Sequence, residues 1–128
     1  MTFMTFREAL DKHLRAIRER DLRSLVETLP DETLTLIMSD GRLVRTVREF
    51  VDMHRDWFGQ ATWSLETNVV ALGETEEMGY ATIHLIYRDE PPGGGRTQQT
   101  SHLTLIFALR EGKWAMVLDQ NTPIKSQD

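Results

Sequence analysis

The chain has 128 residues, of which 40% are hydrophobic and 27% charged, with a formal net charge of −5 and no cysteine. This length suits one domain with a substantial hydrophobic core. The negative charge argues against a nucleic-acid partner, which needs a basic face. The lack of cysteine excludes disulfides, thiol catalysis and Cys-ligated zinc.

The first residues, Met1 to Met4, lack the basic and apolar regions of a signal peptide. No apolar run reaches the roughly 20 residues that a membrane span needs. We therefore expect a cytoplasmic protein without a membrane partner.

The N-terminal part of the chain predicts two helices in succession. Apolar residues recur at helical spacing over residues 3–19, which predicts the first helix. A break at Arg20 follows, and Asp21 is placed to cap a second, shorter helix.

A hairpin and a third helix are predicted next. Thr33 to Met38 alternates apolar and polar residues and predicts a strand. A turn at Asp40-Gly41 joins it to a short partner strand, Leu43 to Arg45. Thr46, with a glutamate three residues later, is the signature of a capping box that opens a helix. This helix is predicted to run to about Phe58, where Gly59 stops it.

The second half of the chain is rich in strand-forming residues. Long apolar or alternating runs predict four strands, near residues 61–73, 77–89, 97–110 and 113–121. A chain that combines such strands with amphipathic helices is an α+β domain, in which the helices cover one face of the sheet. We expect one domain over residues 1–124 and a disordered tail at 125–128.

The last hairpin decides which side chains share a face of the sheet. A three-residue turn, Arg110-Glu111-Gly112, would pair Leu109 with Lys113 and Leu103 with Asp119. A two-residue turn would shift the pairing by one residue and break this assignment. The three-residue turn puts the odd-numbered residues on one face, Leu103, Leu105, Phe107, Val117, Asp119 and Asn121. It puts the even-numbered ones on the other, His102, Thr104, Ile106, Trp114, Met116, Leu118 and Gln120.

The order of helices and strands resembles that of the nuclear-transport-factor-two-like superfamily. This superfamily includes SnoaL-like polyketide cyclases, ketosteroid isomerases and the association domain of calmodulin-dependent kinases. The sharpest local similarity is Gly112-Lys113-Trp114 and the strand that follows it. Leu118 and Gln120 stand where many members have histidines.

The resemblance implies a cone-shaped barrel, with a strongly curved, mostly antiparallel sheet wrapped around the N-terminal helices. It implies a central pocket lined by the face that carries Asn121, and a homodimer formed through the outer face of the sheet. The outer face would include Trp114, Met116, Leu118 and Ile106.

Asp119 and His54 are the candidate catalytic residues. A carboxylate near the mouth of an apolar cavity gains a raised pKa and can act as a general acid or base. His54 lies on the apolar stripe of the third helix and titrates near neutrality. The alternatives are a strand-end aspartate bonded to nearby backbone or exposed to water, and a histidine satisfied within the core.

The candidate ligand-binding residues would line the same cavity. Each has a structural alternative, such as a turn-forming role for Asn121 before Thr122-Pro123 or a core position for the aromatic residues. The set comprises Asn121, Tyr87, Trp57, His13, Leu105 and Phe107.

No metal or cofactor site is predicted. His84 and His102 lie opposite each other if the loop between their strands closes symmetrically, but two ligands make a poor zinc site. A polar pair in a subunit interface explains them better.

Three functions fit these observations. The first is cofactor-free acid–base chemistry by an isomerase, cyclase or lyase on a small hydrophobic or carbonyl-containing ligand. The second is binding of such a ligand without turnover, and the third is a dimeric assembly module. Fold alone does not choose among them.

Overall fold

The structure is a computed structural model and describes residues 3–125. It contains three helices, α1 (Phe6–Arg18), α2 (Leu22–Val26) and α3 (Val47–Phe58). Six strands follow the order β1 (Thr33–Ile37), β2 (Leu43–Thr46), β3 (Trp63–Glu74), β4 (Met78–Asp89), β5 (Thr97–Arg110) and β6 (Lys113–Pro123). Every predicted helix and strand is present. Of the predicted tail, only Lys125 lies within the described residues.

The six strands form one curved, unclosed sheet in the order β2-β1-β6-β5-β4-β3. All neighbouring strands are antiparallel except β1 and β6, which are parallel. The helices pack against the inner face, where their apolar residues and those of the strands form one core. The predicted α+β cone is confirmed.

Side-chain caps set where the helices begin. Thr5 and Glu8 form a reciprocal capping box, which starts α1 at Phe6 rather than at the predicted residue 3. Asp21 caps α2, and the Thr46 hydroxyl accepts the Glu49 N–H of α3. Both N-caps follow the prediction, but among the described residues Glu49 does not return the second bond of the predicted capping box.

The predicted register of the last hairpin is wrong. The turn has two residues, Glu111 and Gly112, both with positive φ (53° and 79°), as a type I′ turn requires. It pairs Leu109 with Trp114. A β-bulge then leaves Val117 as the extra residue, because the register shifts between the pairs on either side of it.

The bulge changes which residues of β6 face inward. Before it, the inward residues are Trp114 and Met116, which are 9% and 0% exposed. After it, they are Asp119 and Asn121, which pair with Leu105 and Leu103. The prediction that Trp114 and Met116 lie on the outer face is therefore wrong.

The deepest part of the core lies between α1 and the middle of the sheet. The Phe6 ring packs edge-on against Phe107, with centroids 5.7 Å apart, and lies 5.6 Å from the Trp114 ring. Gly79 of β4 lies directly under Phe6. None of the helices in residues 3–125 is long and apolar enough to cross a membrane.

Candidate functional site

A cavity of about 420 Å³ opens between the helices and the inner face of the sheet. Residues of α1, α3 and the strands β1, β3, β4, β5 and β6 contribute to its lining. Its apolar lining consists of Ile17, Leu36, Met38, Met53, Trp57, Leu65, Leu85 and Leu103. Its polar lining consists of Ser39, His54, Tyr87, Gln99, Ser101, Asp119 and Asn121.

Asp119 is the one carboxylate among these lining residues, and it is 5% exposed. Burial disfavours its charged form and raises the pKa of Asp119 to about 7, against a smaller opposing effect of the hydrogen bond from Asn121. Within residues 3–125, Asp119 forms no ion pair. The carboxyl group can therefore gain or lose a proton near neutral pH.

Asn121 holds the Asp119 carboxyl group in place. Its amide Nδ2 donates to Asp119 Oδ1 at 3.0 Å and reaches the Ile37 carbonyl oxygen at 3.5 Å. The bond to Asp119 orients the carboxyl group, whereas the 3.5 Å distance to Ile37 is longer than an ordinary hydrogen bond.

His54 lies on the helical side of the same cavity. Its Nδ1 is 2.8 Å from the Phe50 carbonyl oxygen, which can only accept, so Nδ1 carries the proton. Burial lowers the pKa of His54, with a smaller opposing effect of that hydrogen bond. The ring also stacks on Phe50 at 4.0 Å. At neutral pH His54 is therefore an oriented, uncharged imidazole with a free lone pair on Nε2.

Trp57 and Tyr87 form an aromatic section of the wall, with ring centroids 6.2 Å apart. The Tyr87 hydroxyl has no hydrogen-bond partner among the described residues, so it is free to donate to a ligand.

Three predicted ligand-binding residues do not line the cavity. Leu105 and Phe107 are fully buried, because they lie in the core where α1 packs against the sheet. His13 is also fully buried, and its Nδ1 lies 2.7 Å from Thr28 Oγ1. The Thr28 hydroxyl donates to Leu25, so His13 Nδ1 must donate to it. Burial lowers the pKa of His13 to about 3 and keeps it neutral.

The sequence reasoning missed Ser101 and Gln99 as polar lining residues. Both share the inward face of β5 with Leu103. The same strand alternation that selected Leu103 would have found them.

The two remaining histidines lie away from the cavity. His84 and His102 are paired across β4 and β5 on the outer face, with ring centroids 6.3 Å apart. Among residues 3–125, no three His, Asp or Glu side chains gather as a metal site would require.

The sequence matches the model of the SnoaL-like domain family over residues 7–120. The chain belongs to the SnoaL-like domain family. No curated protein gives a significant match to this SnoaL-like domain.

Solved structures share the fold of this SnoaL-like domain at low sequence identity. A ketosteroid isomerase-like protein from Erwinia carotovora is 12% identical, with a TM-score of 0.76 and 92% of each chain covered. The association domain of C. elegans CaMKII is 16% identical, with a TM-score of 0.65 and 88% of each chain covered. A conserved protein from Planctomyces limnophilus is 20% identical, with a TM-score of 0.76 and coverage of 92% and 94%. At these identities the likeness shows the fold alone.

Proposed function

We propose that this SnoaL-like domain is a cofactor-independent enzyme that moves a proton on a small, apolar carbonyl compound. The observation that carries the proposal is that Asp119 and His54 line one cavity. One is a buried acid that titrates near neutrality, and the other is a neutral base. Groups whose pKa values are shifted by burial in a cleft are typical of acid–base catalysis.

The proposed step begins with a ketone whose carbonyl-bearing end lies near Asp119. The Asp119 carboxylate takes a proton from the carbon next to the carbonyl, and the electrons of the broken C–H bond move onto the carbonyl oxygen. In a β,γ-unsaturated ketone the resulting dienolate takes the proton back from Asp119 at its γ-carbon, which shifts the double bond and completes an isomerisation. Attack of the enolate carbon on a second carbonyl of the same molecule would instead complete a cyclisation.

We assign stabilisation of the oxygen that gains charge to Tyr87, a cavity-lining residue whose hydroxyl has no hydrogen-bond partner among the described residues. The Asn121 amide already donates to Asp119 Oδ1. A donor aimed at the developing charge stabilises the transition state. His54 Nε2 serves as the second base, which relays a proton during its return.

The size and lining of the cavity support a small hydrophobic ligand. Its volume of about 420 Å³ falls in the range of small-molecule sites. Most of its wall is aliphatic or aromatic, and its polar groups lie on the strands, at His54 and at Ser39 in the turn after β1. Such a wall lowers the local dielectric, which strengthens electrostatic interactions at Asp119.

Hydrogen–deuterium exchange tests the proton-transfer step without knowledge of the product. 2-Tetralone, a bicyclic ketone with acidic C–H groups, is incubated in D₂O, and loss of its α-proton signals is followed by NMR. The wild type should accelerate exchange, and Asp119→Asn should reduce this acceleration by about 100-fold or more. Ser39→Ala, a change at the cavity lining that leaves both titrating groups intact, is the control. No acceleration by the wild type, with this ketone bound, would contradict catalysis.

Ligand binding without turnover is the second candidate function. The predominantly apolar wall favours it, because Asp119 and His54 supply the only carboxyl and imidazole groups among the lining residues. In that case 2-tetralone would raise the melting temperature by mass action without accelerated exchange.

We also propose that the domain forms a homodimer through the outer face of the sheet. Ile106 and Leu118 pair there, and the exposed Tyr80 and Met78 extend the apolar area. An apolar face of this kind favours association over exposure to water. The similarity to a domain described by its association role also supports this arrangement.

A further inference from the structure

Arg20 has a backbone conformation that is uncommon for a residue with a side chain. Its φ is +56°, at the C-terminal end of α1. Its N–H bonds to the Ile17 carbonyl at 3.2 Å, and the Asp21 N–H bonds to the Ala16 carbonyl at 2.8 Å. This is the Schellman pattern, in which glycine normally occupies the left-handed position. Arginine adopts this conformation at a backbone cost that glycine would not have.

The Arg20 side chain reaches the connection between α3 and β3. Its guanidinium carbon lies 4.0 Å from the centroid of the Trp63 ring. Its Nε donates to the Gln60 carbonyl at 3.1 Å, and its Nη2 donates to the Trp63 carbonyl. One side chain therefore fixes both the ring and the backbone of Trp63.

Trp63 in turn holds Trp57. The two rings stack with centroids 4.1 Å apart and planes 16° apart. The Trp63 indole N–H also donates to the Trp57 carbonyl at 2.9 Å. Trp63 is 2% exposed, whereas Trp57 lines the cavity. The column from Arg20 through Trp63 to Trp57 thus connects the end of α1 to the cavity wall.

We propose that Arg20 is a positioning residue that fixes the Trp57 ring in the cavity wall. This would make the cavity prefer flat, conjugated ligands to saturated ligands of the same skeleton. The selectivity rests on the proposed function, because it requires that the cavity binds a ligand. A flat ligand gains stacking contact with a wall ring held in one orientation, whereas a puckered ligand does not.

Fluorine NMR tests the positioning without any ligand. Protein labelled with 5-fluorotryptophan has three reporters, Trp57, Trp63 and Trp114, since the chain has three tryptophans. Arg20→Gln should shift or broaden the signals of Trp57 and Trp63 and leave that of Trp114 unchanged. Trp114 packs against Phe6 at the opposite end of the core and reports global damage.

Two further variants make this result decisive. Arg18→Gln removes an equal charge from the same end of α1, where Arg18 bonds Thr67 at 2.7 Å, and should leave the Trp57 signal unchanged. Arg20→Lys keeps the charge but lacks the planar fork, and it should give an intermediate change even if Arg20→Gln folds poorly. An unchanged Trp57 signal in both Arg20 variants would overturn the proposal.

A matched pair of ligands tests the selectivity. The probes are 2-naphthol and decahydro-2-naphthol, which share a carbon skeleton and a hydroxyl group but differ in planarity. Calorimetry should show that Arg20→Gln lowers the preference for 2-naphthol by roughly three- to tenfold, while Arg18→Gln preserves it. An equal loss of affinity for both probes would overturn the selectivity. If neither probe binds the wild type, the proposed ligand site and this selectivity both fail, whereas the fluorine spectra still decide the positioning.

Discussion

At the scale of single residues, the buried Asp119 combines its proposed catalytic role with a cost to stability. The pKa of Asp119 is about 7 in the folded chain and 3.8 in its ordinary state. Between these values the folded state holds a proton that the unfolded state has lost. The stability contributed by this proton is present below pH 3.8 and is lost as the pH rises through 7.

Asp119→Asn should therefore stabilise the protein at alkaline pH. The variant has no buried charge, so its advantage in free energy of unfolding should grow between pH 4 and pH 8, by up to about 4 kcal/mol. Urea denaturation across this pH range measures the difference. An advantage that stays constant with pH would show that Asp119 is not protonated in the folded state.

His13 has the opposite dependence on pH. The pKa of His13 falls from 6.5 to about 3 on burial, so the folded state excludes a proton that the unfolded state accepts. This stability is complete above pH 6.5 and is lost as the pH falls toward 3.

Replacement of His13 by Leu should remove this acid sensitivity. The Thr28 hydroxyl keeps its bond to Leu25, and the buried Nε2, which has no partner among the described residues, is eliminated. Urea denaturation measures the free energy of unfolding of the variant relative to the wild type. This difference should rise in favour of the variant by about 2 kcal/mol as the pH falls from 7 to 5. Exposed His102→Asn is the control. An equal difference in free energy of unfolding at pH 7 and at pH 5 would contradict the burial of a neutral imidazole.

At the scale of secondary-structure elements, the approach of α1 to β4 depends on a glycine. A Cβ at Gly79 would lie 2.7 Å from the Phe6 ring, which is fully buried and packed on Phe107. Gly79→Ala should destabilise the domain by about 1–3 kcal/mol. Gly73→Ala is a matched control on the neighbouring strand, because its Cβ meets only the exposed Tyr80 side chain, which can move. Equal thermal destabilisation of both variants would contradict this packing.

The elements and their caps could be predicted from sequence because their signals are local. The register of β6 could not, since it depends on a two-residue turn, which the sequence left open against a three-residue one, and on the bulge at Val117, which has no local sequence signature. Trp114 and Met116 have even numbers, whereas Asp119 and Asn121 have odd ones. All four can face inward only if one residue is extra. His54 and Asp119 share a cavity through the packing of α3 against the sheet, which single-strand alternation does not specify.

At the scale of the whole molecule, the outer face of the sheet is the proposed dimer interface. Leu118→Arg places a charge opposite Ile106 at the centre of the proposed interface and should give monomers in light scattering. Val26→Arg, at an exposed apolar position on α2, should leave the dimer intact. A monomeric wild type at micromolar concentration, or a dimeric Leu118→Arg variant, would contradict this arrangement.

The most direct test of acid–base chemistry in the cavity is the titration of the Asp119 carboxyl group. Carbon-13 NMR of aspartate-labelled protein follows its carboxyl carbon with pH, and Asp119→Asn identifies the signal by its absence. We predict a midpoint near pH 7, because burial of Asp119 outweighs its hydrogen bond from Asn121. A midpoint near pH 4 would show an ordinary solvated carboxylate and would contradict the proposed catalytic role.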